Sequence, residues 1–383
     1  MIIEAFAATN KGSSPTRSER HLIDRELGLH LVAGGSSFSD TPQLAESAKM
    51  AIVTPLRERK AQLEAAEKAS DWHAIKTLIS EALSAANQTM LDTPDGATCV
   101  ASFAMVLVRG TKAFLANAGD QAIYLWRHGN LTPMSRCGML RSSNTKSQIQ
   151  IAIQCLGQET FSAEVVSFNL LPGDKVLIAS AYALTPFKEP KQLAQLLSGP
   201  PEQTPENLIK EALKTRSDAP ISVVVIQAQA PESLSAEEKE QIEADLITTH
   251  AVENSKLFKV LDTIERAQVL ELCTLKKAKA GELIIKNGDT STDLCVILSG
   301  LVEVARKGIT LAQYGAGDYV GEGAFLCGPP RTADVRVISD CRFLTLPLNP
   351  FVEFTKAEPI AGMKMVTEMA KVLVSRLEAA WDK

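Results

Sequence analysis

The chain of 383 residues is poor in the groups from which many reactive sites are built. It has 5 His, at positions 21, 30, 73, 128 and 250, with no i,i+4 pair, so a zinc site is not expected. Its 7 Cys, at 99, 137, 155, 273, 295, 327 and 341, are odd in number and form no C-x-x-C. That argues against a disulfide framework and fits reduced thiols packed as small hydrophobes in a cytoplasmic protein. No apolar run approaches the ~18 residues of a membrane span. The opening Met1-Ile2-Ile3-Glu4-Ala5-Phe6 carries an early charge and lacks the basic start of a signal peptide. A basic excess is also missing. Residues 1–230 hold 22 acidic and 22 basic side chains, and the remainder of the 45 and 40, residues 231–383, holds 23 and 18. Neither part has the positive surplus that binding a phosphate backbone requires, so no nucleic-acid partner is expected. There are no repeats and no low-complexity tract.

What remains is the composition of a globular chain, 45% hydrophobic and 22% charged, at a length that predicts two or three domains. The break falls near residue 230. Val223–Ile226 ends a strand-like run, Pro231-Glu232-Ser233 punctuates it, and Ser235 opens a polar helix with Glu238 placed for a capping box. The reading is a first domain over 1–229, a helical linker over 230–256 and a second domain over 257–383. In the first, strands are expected at Ile2–Ala8, Leu29–Val32, Val100–Val108, Ala113–Asn117, Ile123–Trp126, Val165–Leu170, Val176–Ala179 and Ile221–Ile226. Helical spacing fills residues 42–90. These make an α+β fold of layered helices and sheets. In the second, a helix over Leu257–Leu275 precedes short strands at Leu283–Lys286, Cys295–Leu298, Val302–Ala305, Ala333–Ile338 and Phe343–Leu346. Strands at that spacing indicate a small β-barrel or jelly roll. A last helix over residues 360–382 carries Met365, Met369, Val372, Leu373, Leu377 and Trp381 as apolar positions.

Within the barrel stands Gly321-Glu322-Gly323-Ala324-Phe325-Leu326-Cys327-Gly328-Pro329-Pro330-Arg331-Thr332-Ala333. A helical turn after Gly321 would aim free N–H groups at an anion. Arg331 offers a planar fork to phosphate oxygens, and Glu322 can accept a hydrogen bond from a sugar hydroxyl. Together with Ala280-Gly281-Glu282, Gly288-Asp289, Ile297-Leu298-Ser299-Gly300 and Gly317-Asp318, this stretch resembles a cyclic nucleotide-binding domain. The resemblance implies a ligand site of Gly321, Glu322, Gly323, Ala324, Arg331, Thr332 and Ala333, with Glu322 on the ribose 2′-hydroxyl and Arg331 on the cyclic phosphate. Gly323 departs from the apolar residue usual there, which implies a floppier helix and weaker affinity. Thr332 is compatible with cAMP or cGMP, and the reading takes cAMP. Leu373, Leu377 and Trp381 are core, a seam of a homodimer, or a lid over the base.

The first domain resembles the metal-dependent serine/threonine phosphatases of the PPM type. The carrying segments are Ala7-Ala8-Thr9-Asn10-Lys11-Gly12 with Arg17, Leu31-Val32-Ala33-Gly34-Gly35, Ala85-Ala86-Asn87, Gly96-Ala97-Thr98 and Asn117–Leu125. Leu156-Gly157, Pro172-Gly173-Asp174, Ser180-Ala181-Tyr182 and Asp218-Ala219 follow in the expected order. This family's chemistry uses two divalent metals held by carboxylates. Here Gly34 and Ala181 stand where the family has Asp, and Arg17-Ser18-Glu19-Arg20-His21-Leu22 gives no counterpart to its N-E-D. Asp218 alone survives, as a vestige. Asp120 reads as a turn residue, and Glu19 and Asp24 are set aside on spacing. The resemblance thus implies an αββα sandwich without catalytic residues, metal or cofactor. The expected function is a non-enzymatic cyclic nucleotide sensor for signal transduction, its pseudophosphatase domain contacting a protein partner and its ligand moving the flanking helices. A nucleotide-regulated phosphatase with an atypical metal site is the alternative.

Overall fold

The structure, a computed structural model, describes residues 1–14, 17–37, 43–93, 99–135, 139–141, 150–152, 155–162, 164–215, 218–231 and 236–381. Gly96-Ala97-Thr98, the capping box of Ser235 and Glu238, and the Trp381 side chain lie outside what is described. Two compact units divide the chain, Met1–Leu234 and Ser235–Lys383.

The first unit opens with β1 (Ile2–Asn10), β2 (Arg17–Asp24) and β3 (Leu29–Ser37), followed by α1 (Leu44–Glu58), α2 (Lys60–Lys68) and α3 (Trp72–Leu91). Next come β4 (Cys99–Arg109), β5 (Lys112–Ala118), β6 (Ala122–Arg127), β7 (Asn130–Pro133), β8 (Met139–Arg141) and β9 (Gln150–Ala152). The unit ends with β10 (Val166–Asn169), β11 (Lys175–Ala179), α4 (Ala181–Leu184), α5 (Pro190–Leu197), α6 (Thr204–Thr215) and β12 (Ile221–Gln229). One sheet runs β1-β12-β11-β6-β7 and the other β10-β5-β4-β3-β2. Leu44, Ala48, Ile52 and Leu56 recur at helical spacing on α1, and with Ile75, Ile79 and Leu83 of α3 they cover one face of the second sheet. Leu193, Leu197, Leu208 and Ala212 do the same for the first sheet. The opposite faces bury Val32, Ala104, Val106, Ile123, Val176, Ile178 and Val224. This is the expected four-layer sandwich. The α5–α6 layer was not read from the sequence, although its apolar spacing is helical. The segment after Arg17 is likewise a full strand where none was expected. Its Ser18 hydroxyl accepts from Ala45 N–H at 3.2 Å, serving an orphan donor at the start of α1.

The second unit begins with α7 (Ala236–Asn254), α8 (Lys256–Lys259) and α9 (Thr263–Leu272), then β13 (Thr274–Ala278), β14 (Leu283–Ile285), β15 (Leu294–Arg306), β16 (Ile309–Gly315) and β17 (Tyr319–Val320). After α10 (Glu322–Cys327) and β18 (Asp334–Leu346), α11 (Leu348–Ala357) and α12 (Pro359–Trp381) close it. The sheet runs β13-β18-β15-β16, with β14 on β18 and β17 on β15. Ile297, Val302, Val335, Val337 and Phe343 fill its inside, and helices pack outside on Val296, Leu298, Leu344 and Leu346. Ala251 and Val252 of α7 are buried in that outer core.

Three expectations need correction here. The single helix over Leu257–Leu275 is two helices and the start of a strand. Asp262 is extended at φ −67, ψ 173 and accepts from Glu265 N–H at 2.8 Å, a capping box that starts α9 afresh. The paired short strands are single long ones, β15 and β18: Gly300 at φ +91 bends β15 without ending it, and β18 stays paired with β15 on both sides of the bend. The strand β16 and the helix α11 were not expected at all.

Candidate functional site

In the second unit, a cleft of about 580 Å³ is bounded by α10, β16, Arg331 and α12. Gly321 caps α10 at φ +92, and a Cβ there would stand 2.7 Å from Arg331 Nη1, so glycine is required on two counts. The first-turn N–H groups that follow it have no intrahelical acceptor. Arg331 is 4% exposed. Its Nε donates to Ser291 Oγ at 3.1 Å, Nη1 to Gly321 O at 3.0 Å and Nη2 to Asp293 O at 2.6 Å. All three acceptors are neutral oxygens, so the guanidinium is fixed in place while its charge stays available to an anion in the cleft. Glu322, Gly323, Ala324, Thr332 and Ala333 line the same cleft, so the seven expected residues do converge.

Arg376, from α12, was missed by the sequence reading. Its Nη1 donates to Glu322 Oε1 at 2.5 Å and its Nη2 to Tyr319 O at 2.7 Å. Its guanidinium lies 4.1 Å from the centre of the Tyr314 ring. The sign was an arginine four residues after Val372, in helical step with Met365 and Met369 on an otherwise apolar helix face. Of the expected lid, Leu373 lines the cleft, whereas Leu377 is 52% exposed and does not.

In the first unit, strand register brings the informative residues together. Glu19 on β2 is paired with Gly34 on β3, and Gly34 with Ser102 on β4. Gln121, fully buried, donates from Nε2 to both Glu19 oxygens at 3.2 Å and to Ser102 Oγ at 3.1 Å. Strand pairing thus carries Glu19 to Gly34, a neighbourhood that spacing alone did not show. Burial, then the Asp120 carboxylate, pushes the Glu19 carboxyl well above its ordinary 4.5. Asp120, in the β5–β6 turn, also faces Arg17 at 4.0 Å, and Arg17 lies over the Tyr182 ring at 4.9 Å. Asp24 is elsewhere, paired with Arg57 at 2.8 Å. Asp218 O accepts from Ser13 N–H at 3.1 Å, and Ala181 begins α4 behind Ser180. Thr9 Oγ1 lies 2.6 Å from His21 Nδ1 and 2.7 Å from Ser222 Oγ.

These residues do not fit a pair of divalent cations. Such ions need ionised oxygen ligands. Gly34 supplies none, and Glu19 is held toward its protonated form by burial. Among the described residues no three His, Cys, Asp or Glu side chains stand close enough to share a metal.

The raised Glu19 value has a consequence for stability. The folded chain holds this proton more tightly than the unfolded chain does. Its contribution is fully present below the unfolded value of about 4.5 and is lost as pH rises toward the folded value. Glu19→Gln has no such proton to lose. Urea midpoints should therefore favour the variant increasingly from pH 4 to pH 8; a gap between the two proteins that does not change with pH would count against a raised carboxyl.

Comparison with known proteins finds a likeness for each unit. Residues 275–358 match the family model described as the cyclic nucleotide-binding domain. Glutaminase 2 of Bradyrhizobium diazoefficiens is 36% identical over 121 residues, 31% of this chain and 19% of that protein. The cGMP-dependent protein kinase egl-4 of Caenorhabditis briggsae is 32% identical over 99 residues, 25% of this chain and 13% of the kinase. The chain thus spans less than a fifth of the length of either relative. Among solved structures, the Mycobacterium tuberculosis serine/threonine phosphatase PstP/Ppp superposes with a TM-score of 0.50 at 19% identity, over 60% of this chain and all of that one. At that identity the likeness is one of fold. No helix among the described residues is long and apolar enough to cross a membrane.

Proposed function

We propose that this chain, which joins a PPM-type serine/threonine phosphatase fold to a cyclic nucleotide-binding domain, is a non-enzymatic sensor in signal transduction. In this reading a cyclic nucleotide is bound by the C-terminal domain, and the phosphatase-like domain is a catalytically silent module that contacts a protein partner. The observation that carries the sensing part is Arg331, a buried cation fixed by three neutral oxygens and facing an open cleft. In this reading Glu322, held by Arg376, accepts from the ribose 2′-hydroxyl. Val304, Ile309, Leu311 and Leu373 supply apolar surface for a base, with Thr310, Tyr314 and Thr332 as the hydroxyls. So little polar lining suits adenine, with its single exocyclic amino group, better than guanine, whose carbonyl, ring N–H and 2-amino group would all need partners, and cAMP is the proposed ligand. Silence of the first domain is supported by Gly34 and Ala181, which bring no carboxylate, and by the burial that holds Glu19 beside Gly34 toward its protonated form. The domains are taken as 1–229 and 257–383 with a helical connection between them, in a cytoplasmic protein.

Calorimetric titration of the full chain with cAMP, cGMP and a cyclic dinucleotide tests the sensor; no heat from any of them at millimolar concentration sinks it. Phosphate release from a phenyl phosphate with added Mg²⁺ or Mn²⁺, nucleotide present and absent, tests the silence. The second reading, a nucleotide-regulated phosphatase with an atypical metal site, draws on Asp120 lying close enough to Glu19 to raise its carboxyl. Turnover that depends on Mn²⁺ would establish that reading.

The Arg376 bridge also makes a prediction. Removing it frees Glu322 to rotate and takes away one of the ties between α12 and the barrel, so the carboxylate must be ordered on binding. Arg376→Ala should weaken cyclic nucleotide binding about tenfold, near 1.4 kcal/mol. An unchanged Kd would show that Glu322 is not aimed by this contact.

A further inference from the structure

A second cleft, of about 440 Å³, shares Arg331 and Ile285 with the first but otherwise has its own lining. Strand register sets its floor. Lys276 on β13 is paired with Phe343 on β18, and Thr345, two residues along β18, is paired with Cys295 on β15. Residues two apart on a strand share a face, so Phe343 and Thr345 look the same way. Thr345 is 3% exposed, and its Oγ1 lacks a hydrogen-bond partner. A buried hydroxyl left unmade is costly and marks a place where a polar atom belongs. Lys276 is exposed and lines the same cleft. Phe343 and Ile284 give it an apolar side.

We propose that this cleft binds a small organic acid, its carboxylate between the Lys276 ammonium and the Thr345 hydroxyl and its short apolar body over Phe343 and Ile284. The charges around it favour an anion. Arg331, Lys276 and Lys277 contribute three positive groups, against Glu282 and Asp293. Lys277 lies 3.8 Å from Glu240. The Cys295 thiol reports the same field: burial raises it to about 11, while Arg331 and Lys276 pull it down and Asp293 pushes it up. An apolar acid suits the site better than inorganic phosphate, because the cleft is larger than a bare oxoanion and half its wall has nothing to offer one. The inference concerns a separate site and does not depend on cyclic nucleotide binding.

Cys295 lines the cleft and serves as the reporter. The nucleotide-free full chain is treated with methyl methanethiosulfonate at rising benzoate concentration, and each cysteine is followed by peptide mass spectrometry. Benzoate should slow modification of Cys295 at least fivefold, with saturation, and leave the exposed Cys327 unaffected. Lys276→Ala and Thr345→Val should lose this protection, and Glu322→Ala should keep it. Lys276 is a surface residue, so Lys276→Ala carries the test even if the threonine variant folds poorly. Absence of saturable protection in the wild type overturns the proposal, as does protection that survives in Lys276→Ala or disappears in Glu322→Ala.

Discussion

Arg331→Ala is expected to lower the affinity for cyclic nucleotide about a thousandfold. The guanidinium is 4% exposed, and its three donor atoms are tied to Ser291, Gly321 and Asp293. A phosphate in the cleft would gain a desolvated, pre-positioned partner that has no reorganisation left to do. Truncating one side of such a pair costs 2–5 kcal/mol, and about 4 kcal/mol corresponds to the thousandfold. Lysine keeps the charge but not the fork, and it cannot reach three acceptors in three directions. Arg331→Lys should therefore recover only part of the loss. Because the arginine also ties α10 to the segment before β15, circular dichroism must show the barrel intact in both variants. Binding by Arg331→Ala within tenfold of wild type would remove Arg331 from the site.

Gly34→Asp is the second large effect, and it is a loss. By motif alone, restoring aspartate at Gly34 should help to rebuild a metal ligand set. The structure argues otherwise. A Cβ at Gly34 would stand 2.5 Å from Gln121 Nε2, 2.7 Å from Glu19 Oε1 and 2.8 Å from Ser102 Oγ. Overpacking of this kind costs 1–3 kcal/mol. The new carboxylate would also be buried beside Glu19, a like charge in a place already hostile to one. The sum is about 4 kcal/mol, or roughly 10 °C in the unfolding temperature of a unit this size. Scanning calorimetry with and without Mn²⁺ measures it. A variant as stable as wild type, or one raised in melting temperature by Mn²⁺, would show that the polar cluster yields to a metal.

The barrel and its cassette were legible because their signals are local. Gly321, Glu322 and Arg331 lie within eleven residues of one another, and turn residues mark the strands around them. Arg376 was not legible. It reaches Glu322 across 54 positions by tertiary packing of α12, and nothing in its neighbours says which way it points. The neighbours of Glu19 were hidden for a related reason. Its spacing from the motif residues argued against a metal ligand and said nothing of Gly34, because antiparallel pairing of β2 with β3 sets register by hydrogen bonding, not by motif length. The α5–α6 layer carried the right periodicity in Leu193, Leu197, Leu208 and Ala212 and was passed over between two strong strands.

Gly323 is the second residue of α10, and the space around it is open: a Cβ would find only Thr332 Oγ1, at 4.0 Å. Unlike Gly321, it is not forced by a neighbour or by a positive φ. Packing would accept alanine, which favours a helix by about 1 kcal/mol over glycine. The chain keeps the softer residue at the spot where, on the proposed function, the nucleotide's phosphate would be gripped, and the consequence is one of tempo. Related complexes differ mainly in how fast they come apart, so a grip weaker by that amount shortens the bound lifetime about fivefold. If the chain is the proposed sensor, it would forget quickly, following a falling nucleotide level instead of averaging over it.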